Sequence, residues 1–239
     1  MLVTNAVAKP LPEVRPTREG MSADRLGRVT EVAQKLVDEN KLAGVVTLVA
    51  RNGKVVHEST TGNRSAIDPT PLRTDDLFRI YSMSKPITVV AAMQLYEQGK
   101  FPLNDRVEEY VPEFANLEIL GEDGKRQAVQ KKMTMHHLLT HTAGLSYGFN
   151  RRDPVDQEYG RADMWAAKDL DAWANVIAEL PLKFEPGERW HYSVAVDVTG
   201  LVVQRISGQP FDEYLAEHIF EPLEMEAVSY THLTLPTKA

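Results

Sequence analysis

A serine followed three residues later by a lysine occurs once in this chain, as Ser82-Met83-Ser84-Lys85. A serine hydroxyl is a weak nucleophile until a neighbouring base takes its proton. A neutral amine can be that base; a solvated ammonium cannot. Residues three apart share a helix face, so this spacing would bring the Lys85 amine near the Ser82 hydroxyl. Burial and the positive end of a helix dipole both favour the neutral amine. The same four letters also suit a helix-capping serine followed by an exposed lysine, and alone they are weak evidence.

A second constellation is Pro186-Gly187-Glu188-Arg189-Trp190-His191-Tyr192-Ser193. Its Pro-Gly turn delivers Trp190 and Tyr192 just ahead of an apolar segment. A phenol, with an ordinary pKa of about 10, can relay protons when a nearby cation stabilises its phenolate. Alone, Tyr192 reads better as a core aromatic with a hydrogen-bonded hydroxyl.

Two rival signals point elsewhere. Gly144-Leu145-Ser146-Tyr147-Gly148 matches Gly-x-Ser-x-Gly, the elbow that exposes a nucleophile between a buried strand and a helix. Here a helix-like stretch precedes Ser146 and a polar, proline-broken one follows, so Ser146 is read as a loop residue near the cleft. His137 and His141 stand four apart, which could bring two imidazoles to one metal. The zinc-protease pattern needs glutamate after the first histidine and this chain has Leu138, so both are read as structural.

The elements that must position these residues follow from patterning. Residues 1–21 form an extended, proline-rich arm, and Ser22 caps a helix to about Lys41 with Leu26, Val29, Val32, Ala33 and Leu36 on one face. Two β-rich runs flank Asn52-Gly53, a hairpin signal because both residues tolerate positive φ. Leu77–Tyr81 reads as a short strand running into Ser82 and an apolar helix ended by Gly99. From Pro102 to about Pro181 short helices alternate with polar loops, among them 133–142 and 169–180. Residues 193–208 alternate valines as a strand would, yet their length, Ser193 as cap and Gly208 as stop favour a buried helix. Phe211–Met225 shows the apolar spacing of ordinary helical core.

Composition bounds the rest. The chain has 239 residues, 43% hydrophobic and 26% charged, within the soluble globular range. A net charge of −7 argues against nucleic-acid and anionic-membrane partners. With no cysteine, disulfides, thiolate metal sites and a cysteine nucleophile are excluded. The N-terminus lacks the basic start and apolar stretch of a signal peptide, and no apolar run approaches a bilayer span, so a cytoplasmic location is the default expectation; a missing upstream leader would make it periplasmic or secreted.

Taken in order, the strand-to-helix Ser82-x-x-Lys85, the 133–145 segment, the 186–193 segment and the 206–225 segment resemble the serine β-lactamase-related family. That family includes class C β-lactamases, D-alanyl-D-alanine peptidases and family VIII carboxylesterases, and the similarity runs from about Ser22 to Met225. The resemblance implies an α/β sandwich: an antiparallel sheet flanked by helices, a mainly helical lobe, and an active site in the cleft between lobes. The expected division is 22–100 for the α/β lobe with the Ser82 helix and 101–227 for the helical lobe carrying Tyr192. It further implies that Ser82 is acylated, that Lys85 and Tyr192 shuttle the proton, and that the Ser82 N–H forms half of an oxyanion hole. No metal or organic cofactor is implied.

One departure is informative. The lactamase pattern has asparagine two residues after the tyrosine, where its amide contacts substrate; here Val194 stands there and cannot make that bond. Family VIII esterases resemble this chain better, with an apolar residue after Tyr-Ser and an aspartate nearby, here Asp197. Val194, Asp197 and Trp190 are therefore the expected substrate-binding residues, and a small ester is favoured over a β-lactam. The alternatives are a β-lactamase or D-alanyl-D-alanine carboxypeptidase and, from another class, a non-catalytic binding protein of this fold.

The resemblance stops after Glu226. Residues 228–237 can be encoded in frame by a string resembling the transposase adapter used in sequencing libraries, so 228–239 is expected to be a non-native tail on a shortened gene. No Lys-Thr-Gly, Trp-Gly-Gly or His-x-Gly follows Tyr192. The family takes its second oxyanion N–H from that region and completes its sheet there. The expectation is an inactive, poorly soluble chain with an unpaired sheet edge, and an enzyme in its intact parent.

Overall fold

A computed structural model describes residues 11–121 and 123–225. The expected tail at 228–239 lies outside them. The chain divides into two compact units between Arg79 and Ile80.

The first unit is a helix on a hairpin. Helix α1 (Ala23–Asp38) starts where the Ser22 side chain accepts the Arg25 N–H, a cap that stabilises such helix starts by about 1 kcal/mol. Of the expected apolar face, Leu26 and Ala33 are buried while Val29 and Val32 are exposed. Strands β1 (Gly44–Arg51) and β2 (Lys54–Gly62) pair antiparallel across Asn52-Gly53, both at positive φ as this tight turn requires. A register shift at Val49/Ala50 interrupts the ladder. The arm is not free along its described length. Glu13 bridges Val55 on β2, Pro16–Glu19 forms a 3₁₀ turn, and Glu19 pairs with Lys54 at 2.6 Å.

The second unit is helical and holds one large core. Its centre is α6 (Ala195–Ser207), nine consecutive residues of which, Ala195 to Val203, are buried. A helix apolar all round must be enclosed by protein, and α6 packs against α2 (Ser84–Glu97), α3 (Met135–Leu139), α5 (Leu170–Ala178) and α7 (Phe211–Leu215). The valine alternation in 193–208 thus reflects burial on every face. Ser193 contributes to the helix start by accepting the Ala195 N–H, although Val194 occupies the cap position. Gly208, in the left-handed region, ends it. Helix α4 (Pro154–Arg161) and a small hairpin, β3 (Glu118–Leu120) with β4 (Arg126–Ala128), complete this unit.

Three expectations change. Residues 77–81 form no strand: no ladder partner lies beside them among the described residues, and Leu77, Phe78, Ile80 and Tyr81 are exposed. Apolar content suggested a strand there, but a strand exists only where its backbone groups are paired. The 133–142 helix shrinks to α3, with Thr134 as its cap. Finally, α2 sorts with the helical unit rather than with the hairpin, because Ala91, Ala92 and Leu95 belong to its core.

Candidate active site

Ser82 lies in a 3₁₀ turn (Tyr81–Met83) that runs directly into α2. The turn begins with Tyr81 at φ 45°, a conformation costly for a bulky aromatic. It leaves Ser82 exposed, while Lys85, in the first turn of α2, is half-buried.

Tyr192 reaches Ser82 from the segment leading into α6. Its hydroxyl donates to Ser82 Oγ at 2.6 Å. The Lys85 Nζ stands 5.0 Å from the centroid of the Tyr192 ring and 5.3 Å from that of Tyr147. A cation at this range is attracted to the ring faces and stabilises negative charge on a phenolate. The three side chains singled out by type and spacing therefore meet at the mouth of one helix.

Two segments hold Tyr192 there by lying against each other. The N–H groups of Lys183, Gly187 and His191 donate to the carbonyls of Gly144, Thr142 and His141, each at 2.8 Å. Gly144 sits at φ 84°, and a Cβ on it would lie 2.4 Å from the Phe184 carbonyl oxygen, so only glycine permits this approach.

A cleft of about 300 Å³ opens over Ser82, and every residue lining it comes from the second unit. Its walls are largely aromatic: Tyr81, Tyr147, Phe149 and Trp165 join Tyr192 and Val196. Phe149 stacks on Tyr147 at 5.1 Å between centroids. Asp197 also lines the cleft, almost buried, and accepts the Tyr147 hydroxyl proton at 2.7 Å. Burial first, then the Asp197 charge, raises the Tyr147 pKa well above the ordinary phenol range, so this tyrosine stays neutral and donates.

Of the expected substrate-binding residues, Asp197 alone lines the cleft. Val194 is fully buried in the helical core and is not part of the cleft lining; Val196, two residues on, lines it instead. Trp190 is 64% exposed and outside the cleft, its ring 6.4 Å from that of Tyr192. Tyr147, Phe149 and Trp165 carried no sequence signal of their own. Tyr147 does lie within the Gly144–Gly148 motif, but nothing local says which side its ring takes.

Ser146 is buried, at 1% exposure. Its hydroxyl donates to Asp156 Oδ1 at 2.5 Å, with His191 Nε2 at 3.4 Å. Serine, histidine and aspartate are thus together in the wrong order for an elbow nucleophile, since the proton already rests against the carboxylate. Lys183 pairs with Asp156 at 2.8 Å and Asp153 at 2.7 Å, making the cluster a buried polar pin. His137 and His141 do not converge on a metal. The Nδ1 of His137 accepts the Thr134 N–H at the start of α3, that of His141 accepts the Ser193 N–H, and burial lowers both pKa values. Among the described residues no group of three or more potential metal ligands gathers.

Comparison with known proteins shows the family. Residues 29–236 match the β-lactamase family model. Esterase EstB of Burkholderia gladioli is 35% identical over 214 residues, 88% of this chain and 53% of that protein. Among solved structures, EstCE1, described as a hydrolase with promiscuous acyltransferase activity, superposes with TM-score 0.72 at 32% identity, covering 84% of this chain and 52% of the other. Simvastatin synthase (LovD) of Aspergillus terreus follows with TM-score 0.70 at 28% identity, over 85% and 52%. The chain spans about half the length of the curated relatives it matches.

Proposed function

The chain belongs to the β-lactamase family, and on that premise we propose that the whole protein is a serine hydrolase that cleaves small esters through an acyl-enzyme on Ser82. The contact of Tyr192 Oη with Ser82 Oγ at 2.6 Å, with the Lys85 amine beside the phenol ring, carries this reading. In acylation, Ser82 Oγ bonds to the ester carbonyl carbon and its proton passes to the Tyr192–Lys85 pair. The ester C–O bond then breaks and the same proton leaves with the alcohol. Water, deprotonated by the same pair, then bonds to the acyl carbon; the bond from that carbon to Ser82 Oγ breaks, the proton returns to Ser82 and the acid leaves. In this reading the Ser82 N–H serves as one oxyanion donor.

Ester specificity is favoured over β-lactam specificity by the aromatic walls of the cleft. It is also favoured by the buried valine where lactamases present an amide. Named relatives that are esterases support the same choice. A second reading, acyl transfer to an alcohol in place of water, is supported by the same apolar walls and by the acyltransferase activity in the description of EstCE1. Both share the acyl-enzyme.

The test uses the full-length protein, with intact mass measured after exposure to a fluorophosphonate and to a penicillin. Labelling is expected in the native protein and in Ser146→Ala, and absent in Ser82→Ala. Labelling that survives Ser82→Ala overturns the assignment, and no labelling of the native protein favours a non-catalytic binding protein. Turnover of short-chain esters without turnover of cephalosporins decides ester against lactam. Ester products formed in the presence of added alcohol identify the transferase.

A further inference from the structure

We infer that His141 is the positioning residue for Tyr192, gripping the chain on both sides of the phenol and backing its ring so that the hydroxyl meets Ser82. This rests on the reading that Tyr192 serves Ser82.

The His141 carbonyl accepts the His191 N–H at 2.8 Å. Its imidazole Nδ1 accepts the Ser193 N–H at 3.3 Å. The residue between those two donors is Tyr192. Its ring lies against the same imidazole, 4.8 Å between centroids. One residue therefore fixes the backbone before Tyr192, the backbone after it, and one face of its ring. Three restraints of this kind leave the phenol little freedom except along the direction of Ser82.

His141 can do this because its backbone turns left-handed, at φ 55°. Histidine, asparagine and aspartate occupy that region more readily than other residues with side chains. Accepting the Ser193 N–H requires an unprotonated Nδ1, so the ring proton sits on Nε2. Burial, then the Lys85 charge, keeps the imidazole neutral. His141 does not line the cleft, so it acts through Tyr192.

The test compares His141→Gly, His141→Asn, Tyr192→Phe and the His141→Gly/Tyr192→Phe double variant in the full-length protein, by kcat and KM for a short-chain ester. Glycine keeps the backbone conformation but removes acceptor and ring; asparagine keeps both the conformation and an acceptor. His141→Gly is expected to lower kcat by roughly 10- to 100-fold with little change in KM, the scale of a misplaced reacting group. His141→Asn is expected to recover most of that loss. With Tyr192→Phe already present, His141→Gly should cost about twofold or less, because no hydroxyl remains to be aimed. An unchanged kcat in His141→Gly, a loss additive with Tyr192→Phe, or no recovery in His141→Asn overturns the inference.

Nitrogen-15 histidine NMR of the native protein tests it without any variant. His141 should appear as the neutral Nε2–H tautomer near pH 7, and an Nδ1–H tautomer or an imidazolium there overturns the inference. Full activity in Tyr192→Phe sinks the role of Tyr192 itself. A loss in Tyr192→Phe with none in His141→Gly sinks only the positioning role.

Discussion

Tyr147 and Asp197 show how much a single buried contact can set. The phenol is packed between Phe149 and Tyr192, and its hydroxyl has a carboxylate to receive its proton. Ionising it would place two negative charges together in a desolvated wall, which is why its pKa rises. Ultraviolet titration of the native protein and of Tyr147→Phe should therefore show the same tyrosinate absorbance change up to about pH 11, because Tyr147 stays neutral there. A smaller change in Tyr147→Phe would mean that this phenol ionises in the ordinary range. Ser82 depends on a different local device, the strained Tyr81 turn that lifts its hydroxyl clear of α2. Such strain persists only where surrounding packing holds it, and α2 is anchored by Ala91, Ala92 and Leu95.

Elements matter here as clamps. Residues 141–146 and 183–194 run side by side, and their closeness depends on Gly144. Gly144→Ala adds a methyl group against the Phe184 carbonyl at a positive φ, so denaturant unfolding should show a loss exceeding about 1 kcal/mol. Ester turnover should fall with it, because this seam holds Tyr192. A neutral result would show that the seam can open without cost. Helix starts contribute in smaller steps. Asp169 accepts the Ala172 N–H at 2.7 Å and caps α5, so Asp169→Ala should cost about 1 kcal/mol in the same assay with kcat unchanged.

For the molecule as a whole, buried charge sets the response to acid. Asp156 is 3% exposed. Burial alone would raise its pKa, but hydrogen bonds from Lys183, Ser146 and the Asn150 N–H outweigh that and hold it below the ordinary value. A carboxyl depressed on folding stabilises the protein above its unfolded pKa, about 3.9, and that stability is lost as pH falls through the folded value. The unfolding free energy should thus decline below about pH 4. Asp156→Asn should flatten this decline and lower stability at neutral pH by about 1–3 kcal/mol, since Lys183 keeps Asp153 but loses its more buried partner. An unchanged acid limb in that variant would assign the effect to other carboxylates. The net charge of −7 acts at the same scale, and no retention on a DNA or heparin column is expected at physiological salt.

Residue type and spacing picked out Ser82, Lys85 and Tyr192 as candidates, because Ser-x-x-Lys on a helix and a tyrosine entering a buried helix are local patterns; their proposed roles came from the family resemblance. The hairpin at Asn52-Gly53 and the helix of 195–207 were legible for the same reason: turn chemistry and capping are written in neighbouring residues. Tertiary structure decided everything that depends on which way a side chain turns once segments distant in sequence meet. It buried Val194, brought Val196 and Tyr147 to the cleft, and locked Ser146 onto Asp156. It also left 77–81 without a ladder and gave His141 both flanks of Tyr192, since pairing and packing are properties of two segments, and one sequence window contains only one of them.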